Sequence, residues 1–268
     1  MSKIAFLGAG NMASAMVQGL LAKQVAAASD LTCYSASGNS SQRLAAATGI
    51  RAAGSITELL DGADLLVVAF KPQHLAVLDS ALIAGTEGKL VLSVMSGKTL
   101  DRLQSAFPQA RNWVRAMPNT PGRIGAGITS WCAQSPLSPV DRAIVTSLLG
   151  ALGRDLEVSE SAMDAITAVS GSGPGYVFEF AAAFCAAAEA AGLAPEQAKT
   201  LVVETLLGSA RLLARTGESP DTLRDQVTSP NGTTFAGLSV LKAADFRATL
   251  RQTVLAARAR ATELSQDA

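Results

Sequence analysis

The stretch from Lys3 to Met16, K-I-A-F-L-G-A-G-N-M-A-S-A-M, restricts what this chain can fold into more than any other. Ile4-Ala5-Phe6-Leu7 is a short continuous apolar run, the pattern of a parallel strand buried on both faces. Gly8-Ala9-Gly10 follows at once, then Asn11-Met12-Ala13 and a helical pattern to about Leu21. This is the G-x-G-x-x-A form of a dinucleotide-binding turn. Gly8 permits the tight turn, Gly10 lets a pyrophosphate approach the backbone, and Ala13 lets the helix lie close on the strand. The helix start offers free N–H groups and a partial positive charge to phosphate. A bare strand-to-helix turn could use the same glycines. The flanking strand and helix patterns favour a nucleotide, with Leu7, Gly8, Ala9, Gly10, Asn11, Met12 and Ala13 as its candidate contacts.

Leu31-Thr32-Cys33-Tyr34-Ser35 reads as the second strand. An NAD enzyme usually places Asp or Glu at its end, on the ribose 2′-hydroxyl. Here the end is Ser35-Ala36-Ser37-Gly38-Asn39-Ser40-Ser41, with Arg43 shortly after. With no carboxylate to repel a 2′-phosphate, Ser35 and Ser37 become candidate contacts and NADPH the expected cofactor, NADH the alternative. The other reading is a loop whose hydroxyls cap the next helix. Leu65 to Phe70 is a further apolar strand, closed by Lys71-Pro72-Gln73. Loops at the carboxyl ends of such strands hold ligands, so Ala69, Phe70, Lys71 and Pro72 join the cofactor set. His74, the only histidine, reads as a helix-surface residue.

Further strands are expected at Leu90–Val94, Asn112–Met117, Gly125–Trp131 and Asp155–Val158. A helix from Val140 to Leu149 is capped by Ser138-Pro139. Strand and helix alternate to about residue 160, the pattern of a doubly wound α/β sheet. Val169-Ser170-Gly171-Ser172-Gly173-Pro174-Gly175 reads as a flexible polar joint, and beyond it only helices are expected. These are Pro174–Ala191, Pro195–Thr216, Ser219–Val227, Thr234–Ala243 and Asp245–Leu264. The first is apolar nearly all round and needs cover on every side. A helical dimer interface would supply it. The expected organisation is therefore a Rossmann-like domain at 1–162 and an all-α dimerisation and substrate domain at 163–268.

Lysine plus arginine equals aspartate plus glutamate, 22 each, which speaks against a nucleic-acid or anionic-membrane surface. Cys33, Cys132 and Cys185 show no metal spacing and no disulfide framework, and no metal is expected. With a strand starting at residue 3 or 4 there is no room for a signal peptide, and no helix is apolar enough over its length to span a bilayer. A cytoplasmic protein is expected.

Asp225-Gln226-Val227-Thr228-Ser229-Pro230-Asn231-Gly232-Thr233-Thr234 joins two helices and is rich in hydroxyls and turn formers. Free N–H groups at Gly232, Thr233 and Thr234 would suit a carboxylate. A capped interhelical turn would use the same residues.

Taken together, the chain resembles the pyrroline-5-carboxylate reductase family. The resemblance runs through Phe6–Met12, Lys71-Pro72-Gln73, Arg115–Pro121, Val169–Pro174 and Asp225–Thr234, in that order. It implies reduction of 1-pyrroline-5-carboxylate to proline, a C-terminal domain interlocked with a second subunit, and further assembly of dimers into decamers. It also implies that the loop with Ser229, Asn231, Gly232, Thr233 and Thr234 holds the substrate carboxylate, and that the Thr234 hydroxyl bonds the ring nitrogen as the catalytic contact. Asn231 stands where the family has the first of two glycines, Phe70 where a smaller valine is usual, and Ile56 where asparagine is frequent. The alternatives are another two-domain NADP-dependent oxidoreductase of the β-hydroxyacid dehydrogenase kind, or a non-catalytic nucleotide-binding relative. The former usually carries a lysine on the first interdomain helix, and Pro174–Ala191 has none.

Overall fold

The computed structural model describes residues 2–70 and 79–266. Its contacts divide the chain into two units. One is Met1–Ser172 together with Ala256–Ala268; the other is Gly173–Leu255.

In the first unit the described strands are β1 (Ile4–Leu7), β2 (Leu31–Tyr34), β3 (Arg51–Ala52), β4 (Leu65–Val68), β5 (Leu90–Ser93), β6 (Asn112–Met117), β7 (Gly127–Ala133) and β8 (Gly153–Glu157). They form one sheet in the order β3-β2-β1-β4-β5-β6-β7-β8. β1 to β6 are parallel, β7 runs antiparallel to β6, and β8 is parallel to β7. The order 3-2-1-4-5-6 is the doubly wound arrangement, with its switch point between β1 and β4. All four residues of β1, β4 and β5 are buried, which is why these strands read as unbroken apolar runs. Alternate side chains feed two cores: Phe6, Val67 and Leu92 one face, Leu7, Leu66 and Val91 the other.

Helices α1 (Asn11–Ala22), α2 (Asn39–Thr48), α3 (Ile56–Leu60), α4 (Ser80–Gly85), α5 (Leu100–Ala106) and α6 (Pro139–Gly150) cover the sheet. The Ser138 hydroxyl accepts the Asp141 N–H at the start of α6, as its sequence suggests. β7 begins two residues later than the sequence suggested. α3, α4 and α5, each under two turns, had no periodic signal to announce them. Side chains of Ser55, Asp79 and Thr99 cap them instead.

The joint expected at Val169–Gly175 is helical. α7 (Met163–Ile166) continues through a π-helical turn at Thr167–Gly171 into α8 (Gly173–Ala190). Ser172 N–H donates to Thr167 O at 2.8 Å, five residues back, and the Ser170 hydroxyl donates to Ile166 O at 3.1 Å. Gly171 serves close packing here rather than freedom: a Cβ would lie 2.7 Å from Met117 Cε. Because α7 is held to the sheet, the division by contact falls at 172/173 rather than 162/163, and the last turns of α12 return to the sheet unit.

The second unit holds α8, α9 (Pro195–Thr216), α10 (Pro220–Gln226), α11 (Thr233–Ala243) and the first part of α12 (Phe246–Gln266). In the single chain α8 has no buried residue, and Val177, Phe178, Phe180 and Phe184 stand exposed along it. Phe180 and Phe184 meet in a tilted ring contact, centroids 5.8 Å apart. Among the described residues no helix is long and apolar enough to cross a membrane.

Candidate functional site

The turn after β1 lies at the switch point. Gly8 N–H donates to Tyr34 O at 2.8 Å, and Ala69 N–H donates to Leu7 O at 2.9 Å. The ends of β1, β2 and β4 therefore meet there. Gly8 has φ +106°, and a Cβ on it would lie 2.6 Å from the Ala69 carbonyl oxygen. No other residue could combine that backbone with that approach. A Cβ on Gly10 would meet nothing within 4 Å, so the backbone there is open. Gly10 is the N-cap of α1, with no side-chain cap and no acidic residue in the first turn. The first N–H bonded back into the helix is that of Ser14, to Gly10 O. Among the described residues, the N–H groups of Asn11, Met12 and Ala13 thus find no acceptor. Ala13 is 1% exposed against the core, and Asn11 faces solvent. This cradle fits a dinucleotide pyrophosphate.

At the end of β2 the two serines differ. The Ser35 hydroxyl donates to Ser41 Oγ at 3.1 Å and accepts the Ser41 N–H at 3.2 Å. It is thus engaged in capping α2, and the helix-capping reading accounts for it. Ser37 is exposed, followed by Gly38 at φ +73°, the N-cap residue of α2, which has no capping side chain of its own. Ala69 and Phe70 are half-buried at the end of β4. Lys71 and Pro72 lie outside the described residues, as does His74.

The sequence assigned no role to the loop after β5. Val94 N–H donates to Val68 O at 3.1 Å, so this loop leaves the sheet level with Ala69. Its position at the carboxyl end of a parallel strand was the available signal. Beside it Arg115, from a motif quoted above without a function, is 4% exposed. Its Nη1 lies 3.2 Å from Glu160 Oε1 and its Nη2 3.6 Å from Asp164 Oδ1. The neighbouring Cys132 thiol is pushed up to about 11, first by burial and then by Glu160, so it stays protonated and unreactive.

In the second unit Ser229-Pro230-Asn231-Gly232 is a turn closed by Gly232 N–H donating to Ser229 O at 3.1 Å. Pro230 at its second position and Asn231 at φ +59° are the signature of a type II turn. Asparagine is among the few non-glycine residues that tolerate this conformation. Gly232 is the N-cap of α11, again with no side-chain cap and no acidic residue in the first turn. Its own N–H is taken by the turn, so the open donors are those of Thr233, Thr234 and Phe235 rather than of Gly232. A Cβ on Gly232 would run into the Ser229 hydroxyl, which packs the turn under the helix start. Thr234 is half-buried. Helical threonines elsewhere, such as Thr200, Thr216 and Thr253, donate to the carbonyl four residues back. Thr234 follows the turn, has no helical carbonyl there, and makes no such bond. The nucleotide candidates therefore gather in the first unit and the carboxylate candidates in the second.

Two family profiles match the chain. One, described as "Pyrroline-5-carboxylate reductase dimerisation", covers residues 160–264. The other, described as "NADP oxidoreductase coenzyme F420-dependent", covers residues 3–97. The pyrroline-5-carboxylate reductase of a Synechocystis species is 36% identical over 98% of both chains. The structure of the Coxiella burnetii pyrroline-5-carboxylate reductase matches with a TM-score of 0.91 at 33% identity, covering 98% of both chains. That of the Plasmodium falciparum pyrroline carboxylate reductase, with NADP bound, matches at 0.87 and 28% identity, with the same coverage. The order of the sheet, the open helix starts and this similarity over the whole length lead to one statement: the chain belongs to the pyrroline-5-carboxylate reductase family.

Proposed function

We propose that this protein reduces 1-pyrroline-5-carboxylate to proline with NADPH as the preferred donor. The observation that carries the reading is a pair of helix starts, at α1 and α11, each led by glycine and free of a side-chain cap or acidic first turn. One suits a dinucleotide, the other a small carboxylate, and both stand in a chain related over its length to pyrroline-5-carboxylate reductases.

Bound NADPH would supply a hydride for the C=N carbon. The N–H groups of Asn11, Met12 and Ala13 would hold its pyrophosphate, with Leu7 to Gly10 shaping the turn and Ala69 and Phe70 lining the adjacent strand end. Ser37, Lys71 and Pro72 complete the proposed cofactor contacts; Ser35 shapes the loop. The N–H groups of Thr233 and Thr234 would hold the substrate carboxylate, with Ser229, Asn231 and Gly232 fixing the turn before them. The Thr234 hydroxyl would orient the ring nitrogen. A cyclic imine is basic enough to arrive protonated, so its nitrogen already carries the proton that the amine product keeps. The protein's task is then orientation rather than proton transfer.

We place the functional division at 162/163 and the protein in the cytoplasm, in keeping with its free, buried Cys33 and Cys132. The exposed apolar side chains of α8 support pairing of two copies through the C-terminal helices, with decamers as the further assembly. The test is NADPH consumption on addition of pyrroline-5-carboxylate, repeated with NADH. Turnover faster with NADPH is expected. Tight NADPH binding without turnover would overturn the reaction and keep the nucleotide site.

A further inference from the structure

The loop at 94–99 between β5 and α5 is held at two points. Gly97 has φ +75°, and a Cβ on it would lie 3.0 Å from the Leu264 carbonyl oxygen and 3.3 Å from Leu264 Cβ. The loop backbone thus rests directly on the last turns of α12. At the other end, Leu100 N–H donates to Glu160 Oε1 at 2.7 Å. The same oxygen accepts from Arg115, which also reaches Asp164. Asp164 Oδ2 in turn accepts the Thr262 hydroxyl at 2.9 Å. One line of polar contacts therefore runs from α12 through Asp164, Arg115 and Glu160 to the start of α5, and α12 itself supports the loop in between. The Arg115 side chain is 5% exposed. A buried cation bound to two carboxylates moves with them, because leaving either partner unpaired in a low dielectric is costly.

This loop begins level with Ala69, beside the switch point where a doubly wound sheet holds its ligand. We infer that the C-terminal turns of α12, acting through Thr262, Asp164 and Arg115, position the β5–α5 loop for binding of the nicotinamide nucleotide. None of the three touches reacting atoms; they act through the loop. The inference rests on the proposed NADPH site and adds to it a determinant located at the far end of the sequence.

Direct titration of NADPH against the full-length protein, without imine, tests it. Thr262→Val removes the hydroxyl and keeps the shape; Thr262→Ser keeps the hydroxyl. Thr262→Val is expected to raise the Kd for NADPH about three- to tenfold, and Thr262→Ser to stay within about twofold of wild type. At saturating NADPH the KM for the imine should not move. Wild-type Kd in Thr262→Val would overturn the inference. So would an unchanged Kd with a smaller binding-competent fraction, the mark of a purely structural role, or a change confined to the imine KM. Wild-type protein that binds NADPH without turning over pyrroline-5-carboxylate leaves this inference standing and removes the proposed reaction. Wild-type protein that does not bind NADPH removes both.

Discussion

At the scale of single residues, the informative ones lack their ordinary local partner. Thr234 has the hydroxyl of a helical threonine and no helical carbonyl to give it to, because Pro230 and Asn231 turn the chain just before α11. A half-buried hydroxyl in that position is free for a ligand. Thr234→Ala is expected to lower kcat/KM for the imine about tenfold to a hundredfold, the loss of one hydrogen bond of about 1.5–3 kcal/mol. Wild-type kinetics in that variant would remove Thr234 from the mechanism. Turn chemistry, being local, pointed to Asn231's positive φ, whereas the role proposed for Thr234 came from the family resemblance. Sequence alone could not separate Ser35 from Ser37. Which serine of a hydroxyl-rich loop caps the next helix depends on where Ser41 comes to lie, a matter of three dimensions.

At the scale of elements, fully buried strands were legible because burial on both faces writes itself as an unbroken apolar run. β1, β4 and β5 fall within a residue or two of their expected ends. α3 to α5 were not legible, being too short for a period and held by caps and by the sheet beneath. The helical reading of Thr167–Gly171 was hidden as well. Glycine and serine there resemble a loop, and only the fold shows that a Cβ at Gly171 would crowd the Met117 methyl. Elements are also tied by charge. Arg111, at the start of β6, clasps Asp141 in the first turn of α6 with Nη2–Oδ1 at 2.5 Å. Its Nη1 donates to the carbonyls of Asp64 and Gly88. The Arg111 hydrogen bonds hold the Asp141 carboxyl below the usual range. A carboxyl with a lowered folded pKa stabilises the fold above its unfolded pKa, and that contribution is lost as pH falls through the folded value. Asp141→Asn is therefore expected to cost about 1–3 kcal/mol near pH 7. The gap from wild type should narrow below about pH 4. Thermal melts of both proteins across that range check the sign, and a constant gap would show that Asp141 acts by shape alone.

At the scale of the whole molecule, the uncovered face of the second unit is the dominant fact. Phe178 is 60% exposed and Val240 68% exposed in the single chain, and the matching family profile is that of a dimerisation region. Soluble monomers rarely leave so much apolar surface bare. Phe178→Asp combined with Val240→Asp is expected to shift the protein to a monomer on size-exclusion chromatography and to abolish imine reduction. An unchanged elution volume would place the contact between copies on another surface. The apolar pattern of α8 already called for pairing, because an all-round apolar helix cannot be satisfied within a short helical domain, and the dimerisation profile over residues 160–264 agrees with pairing at that level. The return of α12 to the first unit was not anticipated, since nothing in a helical repeat says which domain its last turns will touch.

That return has a consequence for how the chain is made. The segment Ala256–Ala268, with Thr262 and Leu264 in it, completes a unit whose remaining residues end at Ser172. On a ribosome adding about 5–20 residues per second, the nucleotide-binding half must therefore wait, its β5–α5 loop unsupported, until the helices between have been synthesised.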